Sequence, residues 1–447
     1  MRRRLATAAG ALLAIAASLL ATPSPAQAET RAAPGFHVTD GRLLDANGKD
    51  FVLRGVNHAH AWYPTRTPQA LKDIKALGAN SVRVVLATGD RWTRTEAADV
   101  AAIVTECKRN RLVCVLEAHD TTGYGEQAGA ASLARAVDYW LSLKDVLQGQ
   151  EKYVVVNLGN EPYGNVGYQT WTSDTQNAIA RMRDAGFDHT LMVDAPNWGQ
   201  DWAFTMRDNA GKVFAADPDR NTVFSVHMYG VFDTAAEVND YLNRFTSQRL
   251  PIVVGEFGND HSDGNPDEDA IMAAAQQLGI GYLGWSWSGN GGGVEYLDMA
   301  TDFDVSRLTA WGRRIFDGPD GIEQTAREAS VFGSVPGDGS TGGSCAVTYR
   351  LSDWGNWFNA DVTIRNTGTT AVKGWRLDFA FPGEQRINQA WNARATQQGS
   401  QVRAANESWT ETIPAGGTVS FGFNGSSAGT NGVPASFVLN GGSCTVS

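Results

Sequence analysis

The chain predicts an α/β fold, a (β/α)8 barrel followed by a linker and an all-β sandwich. Two observations carry this. Eight short apolar runs rich in β-branched residues alternate with stretches of helical periodicity from Phe51 to about Phe316. After Ser344 the helical period disappears, and short alternating runs separated by Gly, Asn and Pro turns take its place.

The elements follow in order. Residues 1–28, MRRRLATAAGALLAIAASLLATPSPAQA, join three arginines, a short apolar stretch and a small-residue cleavage site, Ala26-Gln27-Ala28. This is the pattern of a secretory signal peptide rather than an anchor, so a secreted, extracellular protein is expected. Residues 29–320 hold the barrel. Its strands are DFVLRGVN, NSVRVVL, LVCVLEAHD, YVVVNLGNEP, TLMVDAP, TVFSVHMYG, PIVVGEFG and YLGWSWS. Helices are expected in TPQALKDIKALG, EAADVAAIVTECKRN, SLARAVDYWLSLKDVL, SDTQNAIARMRDAG, AAEVNDYLNRFTSQ, EDAIMAAAQQLG and SRLTAWGRRIF, many of which end near Gly or Asn. An open doubly wound sheet is the rival topology. It is disfavoured because polar residues end many strands, as a ring requires, rather than clustering at one switch point. Residues 321–343, GIEQTAREASVFG and then the Gly/Ser/Pro-rich SVPGDGSTGG, read as a flexible linker, and 344–447 as the sandwich.

Charge narrows the partners. The chain carries a net charge of −11, which becomes −14 once Arg2, Arg3 and Arg4 leave with the signal (−11 − 3). An acidic exported protein suits neither nucleic acid nor anionic lipid, whereas a neutral polysaccharide is compatible with it. No later segment is apolar enough to span a bilayer. A monomer is expected. Four cysteines in an oxidising compartment should pair. Cys345 and Cys444 bracket the C-terminal region, which suggests a bridge between its first and last strands. Cys107 and Cys114 then form the second pair, with two buried free thiols as the alternative. Neither pair has the spacing of a metal site.

The strand exits hold the chemistry. Glu161 closes the fourth run and Glu256 the seventh, and a carboxylate at such an exit stands at the mouth of a parallel sheet. Two carboxylates in one mouth are the equipment for breaking a glycosidic bond. Arg83 on the second strand, His119 after the third, Asn160 beside Glu161, His227 and Tyr229 on the sixth and Trp285 on the eighth complete a polar set. Burying so many hydrogen-bonding groups is costly unless they satisfy one another or a ligand. Glu161 is assigned as general acid/base and Glu256 as nucleophile, with no cofactor required. Asn160 should bind the sugar 2-hydroxyl. Tyr229 and Arg83 should hold Glu256 and lower its pKa, and His227 should tune Glu161. Trp285 should floor the cleaved subsite, and His119 should bind hydroxyls there. His58, His60, Trp62 and Trp198, in loops after strands one and five, are expected to extend the cleft.

Arg83, His119, Asn160-Glu161, His227-Met228-Tyr229, Glu256 and Trp285 follow in the order that identifies residues 35–316 as resembling glycoside hydrolase family 5, clan A. The strings RGVNHAHAWY, LEAHDTTGYG, NEPYG, DAPNWGQD and GWSWSGNGGGVEYLDM are similar to those of bacterial and actinomycete endo-β-1,4-mannanases. The resemblance implies a retaining endo-β-1,4-mannanase acting on mannan, glucomannan and galactomannan. An endo-β-1,4-glucanase on the same barrel and a non-catalytic wall-binding protein are the rival readings.

In the sandwich, Trp354, Trp391 and Trp409 sit in turn-rich surroundings, while Trp375 in GWRLDFAF should be core. Exposed indoles make a platform for the apolar faces of sugar rings. Over its full length this region resembles a family 2 carbohydrate-binding module. The resemblance implies a Cys345–Cys444 disulfide, binding by Trp354, Trp391 and Trp409, and attachment to cellulose or a similar wall polymer. Trp357 stands where that family often has a small residue. One acidic loop, NDHSDGNPDED, places Asp267, Glu268 and Asp269 together. These could hold a structural calcium ion, or serve as acids at a helix N-terminus.

Overall fold

The computed structural model describes residues 35–333, 345–429, 431–440 and 442–446. The expected signal peptide, residues 334–343 of the expected linker and Ser344 lie outside them. A hairpin of β1 (His37–Thr39) and β2 (Arg42–Leu44) precedes eight strands: β3 (Arg54–His58), β4 (Ser81–Leu86), β5 (Val113–Ala118), β6 (Val154–Asn157), β7 (Leu191–Asp194), β8 (Thr222–Met228), β9 (Ile252–Phe257) and β10 (Gly281–Gly284). They close into a parallel barrel in chain order, β10 pairing with β3. Each coincides with one of the eight apolar runs, β3 and β10 overrunning theirs by one residue, and every barrel-strand residue is buried.

Alternation along these strands sorts the side chains into two cores. Outward residues such as Val84, Leu116, Val156 and Val226 pack under the helices. Inward residues near the strand starts, including Leu53, Val113, Val155, Met192, Val223 and Val253, form a separate apolar layer with Phe36 and Phe51. Nearer the strand ends the inward positions turn polar, with Asn57, Arg83, Glu117, Asn157, Asp194 and His227 all buried. Thus the same strands are apolar at one end of the barrel and chemically equipped at the other.

Helices follow the expected strings with adjusted ends. Capping by Ser132, Thr234 and Thr309 starts those at Leu133–Ser142, Ala235–Thr246 and Ala310–Asp317. The last is shorter than SRLTAWGRRIF suggested, because Thr309 fixes its start. A helix at Thr205–Ala216 escapes the sequence pattern. Only Met206, Ala210 and Val213 are buried on it, and Gly211, Asn209 and Asp208 dilute its period. Asp201 compensates by accepting the backbone N–H groups of Met206 and Arg207, both at 2.9 Å.

The barrel continues past residue 320, which corrects the expected linker boundary. Ile322 and Ala329 are buried in the two barrel cores. Glu328 pairs with Lys75 and, at 2.7 Å, with Arg111. Asn80 donates to the Arg327 carbonyl at 2.8 Å. Residues 321–333 are therefore a packed strap on the barrel, held by contacts that residue composition does not reveal.

Among its described residues the C-terminal region forms two five-stranded sheets and a small two-stranded one around an aromatic core that includes Trp375, as expected. Cys345, on the first strand, and Cys444, beside the last, are bridged with their Cα atoms 4.8 Å apart. Cys107 and Cys114 are not: both are free, buried in the apolar barrel core. That layer keeps them as packed thiols, and burial together with the neighbouring Cys114 thiol pushes the Cys107 pKa up, away from the reactive thiolate.

Candidate active site

Arg83 organises the polar end of the barrel. Its guanidinium is fully buried and spends all five N–H groups on five acceptors. Nε donates to Asn157 at 2.8 Å, and Nη1 to Asn57 at 2.9 Å and Glu256 at 2.6 Å. Nη2 donates to Asn160 at 2.7 Å and Asp194 at 3.0 Å. Four strand ends besides its own are thereby tied to one planar cation. Burial opposes that charge, but Glu117, Asp194 and Glu256 outweigh it and raise the Arg83 pKa further.

Glu256 reaches this network through a break in register. Val226 pairs with Val254 but His227 with Glu256, so β9 carries one extra residue at Gly255. A side chain there would meet Ser225 Oγ at 2.1 Å, so glycine lets the strands approach here without moving that hydroxyl. Tyr229 OH donates to the second Glu256 oxygen at 3.1 Å. The holding role expected of Arg83 and Tyr229 is present, but the expected lowering of the Glu256 pKa is not. Burial pushes it upward, and the charges of His227 and Arg83 offset that only in part.

Glu161 stands opposite, its carboxylate 2.9 Å from His227 Nδ1. Its backbone φ is +40°, a position a non-glycine residue seldom takes, at the mouth of the barrel. The other His227 nitrogen lies 3.2 Å from Asp194, and Glu256 lies 3.5 Å from Nδ1. Burial alone would discharge this imidazole, yet Glu256, Asp194 and Glu161 hold its pKa up at about 10. Asp194, fully buried, has its pKa held down at about 2 by Arg83 and His227. One oxygen from each of Glu161 and Glu256 and one nitrogen of His227 lie within 4.8 Å of one another.

Asn160 gives its oxygen to Arg83 and one N–H to Thr122 at 2.8 Å, leaving one N–H for a substrate. His119 rests on buried Glu117 at 2.9 Å, which raises its pKa against burial. Its ring stacks 5.8 Å from Trp285, itself held by Asn290 at 2.8 Å. Trp62 and Trp92 meet His119 from the side at 5.2 and 5.4 Å. Trp198 lies across Gly123 and Gly164 in the loops after β5 and β6, on the Glu161 side. His58 and His60 do not extend a cleft: both are buried and share the Thr67 hydroxyl, at 2.8 and 2.7 Å. They fasten the loop after β3 to the following helix, and burial keeps both imidazoles uncharged near neutrality.

The acidic loop does not converge. Asp267 caps the helix Glu268–Leu278 by accepting Ala270 N–H at 2.9 Å, and Asp269 pairs with Arg314. Among the described residues, the three acids make no common ligand cluster. Asp267 therefore fits the helix-terminus alternative, and the three acids are not gathered around a common point for a calcium ion. Asn57, Glu117, Asn157, Asp194 and Trp92 are site residues that sequence reasoning missed. The first four follow from counting inward positions along each strand, a signal readable once barrel closure is assumed.

Residues 44–291 match the family described as Cellulase (glycosyl hydrolase family 5), and residues 345–444 match Cellulose binding domain. The chain is 61% identical over 351 residues to a mannan endo-1,4-beta-mannosidase of Streptomyces lividans, covering 78% of this chain and 90% of that one. A protein of the same name from Cellvibrio japonicus is 49% identical over 346 residues, 77% and 78% of the two chains. A beta-mannanase structure from Thermomonospora fusca superposes with a TM-score of 0.66 at 60% identity, over 67% of this chain and 99% of that one. The chain belongs to glycoside hydrolase family 5.

Proposed function

We propose that this protein is a secreted, retaining endo-β-1,4-mannanase that cleaves internal bonds of mannan, glucomannan and galactomannan. Its C-terminal module attaches it to cellulose in plant cell wall. The observation that carries the reaction is the approach of Glu161 and Glu256 oxygens within 4.8 Å in the barrel mouth. An inverting enzyme leaves about 6.5–9.5 Å between its carboxyls for a water, whereas direct attack by the second carboxylate needs about 5–5.5 Å.

Glu256 attacks the anomeric carbon while Glu161 gives its proton to the departing glycosidic oxygen, forming a glycosyl ester. Two carboxylates this close repel when both are charged, which favours one proton between them at the start. The ester consumes the Glu256 charge and that repulsion ends. Glu161 then takes a proton from water, whose oxygen attacks the same carbon and releases Glu256. The free N–H of Asn160 is placed for the 2-hydroxyl, and Trp285 offers an indole face to the ring being cleaved. Two carboxylates suffice for this chemistry.

The high identity to proteins named for mannan supports mannan over glucan, and the N-terminal signal pattern and the disulfide support export. The test is reducing-sugar release from mannan, glucomannan and carboxymethylcellulose beside Glu161→Ala and Glu256→Ala. Release from mannan lost in both variants is expected. Release from carboxymethylcellulose alone would overturn the substrate, and silence on all three the enzyme.

A further inference from the structure

We propose that Trp357 is a fourth sugar-stacking position of the C-terminal module, extending its binding face for a β-1,4-linked glucan chain along the sheet. This rests on the reading of residues 345–444 as a polysaccharide-binding domain.

The placement comes from strand register. Along Trp357–Asn366, the even residues Phe358, Ala360, Val362 and Ile364 are buried in the core. Trp357, Asn359 and Asp361 therefore project from the opposite, exposed face. The neighbouring strand Thr418–Ser426 pairs Ser426 with Trp357, Asn424 with Asn359 and Gly422 with Asp361. One strand further, Gln389 pairs with Asn424 and Trp391 with Gly422. A side chain on Gly422 would meet the Trp391 ring at 2.5 Å, so that indole lies flat across the same exposed face. Trp357 and Trp391 therefore share one surface, about 13 Å apart along the strands and roughly 10 Å across two of them.

The ground between them is chemically apt for a sugar chain. Asn359 and Gln389 are exposed and Asn424 half-exposed, and none of these three amides has a side-chain hydrogen-bond partner among the described residues. Amides free to both donate and accept match hydroxyls that do the same. Trp357 is 60% exposed and Trp354 66%, and Trp354 N–H closes a tight turn onto the Trp357 carbonyl at 2.8 Å, so the two indoles flank one turn. A large indole held in water at a strand start supports no core. Its removal should leave folding intact, and its presence is accounted for by a flat apolar ligand. The amide floor suits the hydroxyls of a glycan.

The experiment measures binding of the full chain to microcrystalline cellulose by depletion, for wild type, Trp357→Ala, Trp357→Phe and Trp391→Ala. Soluble-mannan hydrolysis and melting temperature are read on the same samples. Trp357→Ala is expected to weaken binding by about three- to tenfold, the scale of one aromatic stacking contact. Trp357→Phe should recover part of the loss, with melting and hydrolysis unchanged. Wild-type affinity in Trp357→Ala, with Trp391→Ala impaired, would overturn the assignment of Trp357 alone. No binding by wild type to cellulose, insoluble mannan or chitin would instead remove the reading on which it rests.

Discussion

The barrel mouth and the sandwich face both meet polysaccharide, but they are built on opposite physical terms. In the barrel, Arg83, His227, Glu256, Asp194 and Glu117 are buried, and each charge is tolerated only because another faces it. On the sandwich, Trp354, Trp357 and Trp409 are more than half exposed, and their use depends on having no partner in the protein. Breaking a covalent bond needs charge placed beforehand in a dry site, where it is worth most. Holding a polymer needs apolar area free to be covered. The first site is coupled, so its parts fail together; the second is modular, so its parts should fail one at a time.

That contrast can be broken most directly at the two carboxylates. Glu256→Ala should abolish turnover on every substrate, because the attacking oxygen is gone. Glu161→Ala should lose about 10²–10⁴-fold on polysaccharide, yet much less on an aryl mannoside whose phenol leaves without a proton. Equal losses on both substrates would contradict the acid/base assignment.

Arg83→Lys should be nearly as severe and should also destabilise the barrel. A single ammonium cannot serve five acceptors, and opening a buried ion pair costs about 3–5 kcal/mol. Thermal unfolding beside cellulose binding would show whether the damage stays in the barrel.

Serine at Cys345 should act in the reverse sense. Closing a chain separation of 99 residues stabilises by roughly 2–5 kcal/mol, so the sandwich should lose cellulose binding at a lower temperature while hydrolysis of soluble mannan persists.

The pH response sharpens the picture. The folded His227 pKa of about 10 lies above the ordinary 6.5, so its contribution is complete below pH 6.5 and lost as pH rises through 10. Asp194 works oppositely: its contribution is present above pH 3.8 and lost as pH falls towards 2. Barrel stability should therefore decline on the alkaline side, and His227→Gln should flatten that decline; an unchanged slope would contradict the imidazolium. The smallest effect is expected at Asp267→Ala, about 1 kcal/mol for one lost cap, with a melting temperature that chelator leaves unmoved.

Much of this was legible in the chain. Runs such as TVFSVHMYG and PIVVGEFG could form only short buried strands, and Glu161, Glu256, Arg83 and Trp285 stood out as polar or aromatic residues at their ends. The helix Thr205–Ala216 was not legible, because its stability comes from Asp201 and from three buried contacts rather than from its own pattern. His58 and His60 misled for a related reason: a histidine beside a strand end looks the same in sequence whether it faces substrate or Thr67.

By itself the sequence determined the barrel and sandwich and the pair of carboxylates, because periodicity and composition are local properties of the chain. Tertiary structure alone decided that residues 321–333 strap the barrel, that Cys107 and Cys114 stay as thiols, and that Asp267 caps a helix. It also decided that Glu117 and Asp194 balance His119, Arg83 and His227. Each of these depends on which distant groups share a buried volume, and charge compensation at close range is settled only when the strands close into a ring.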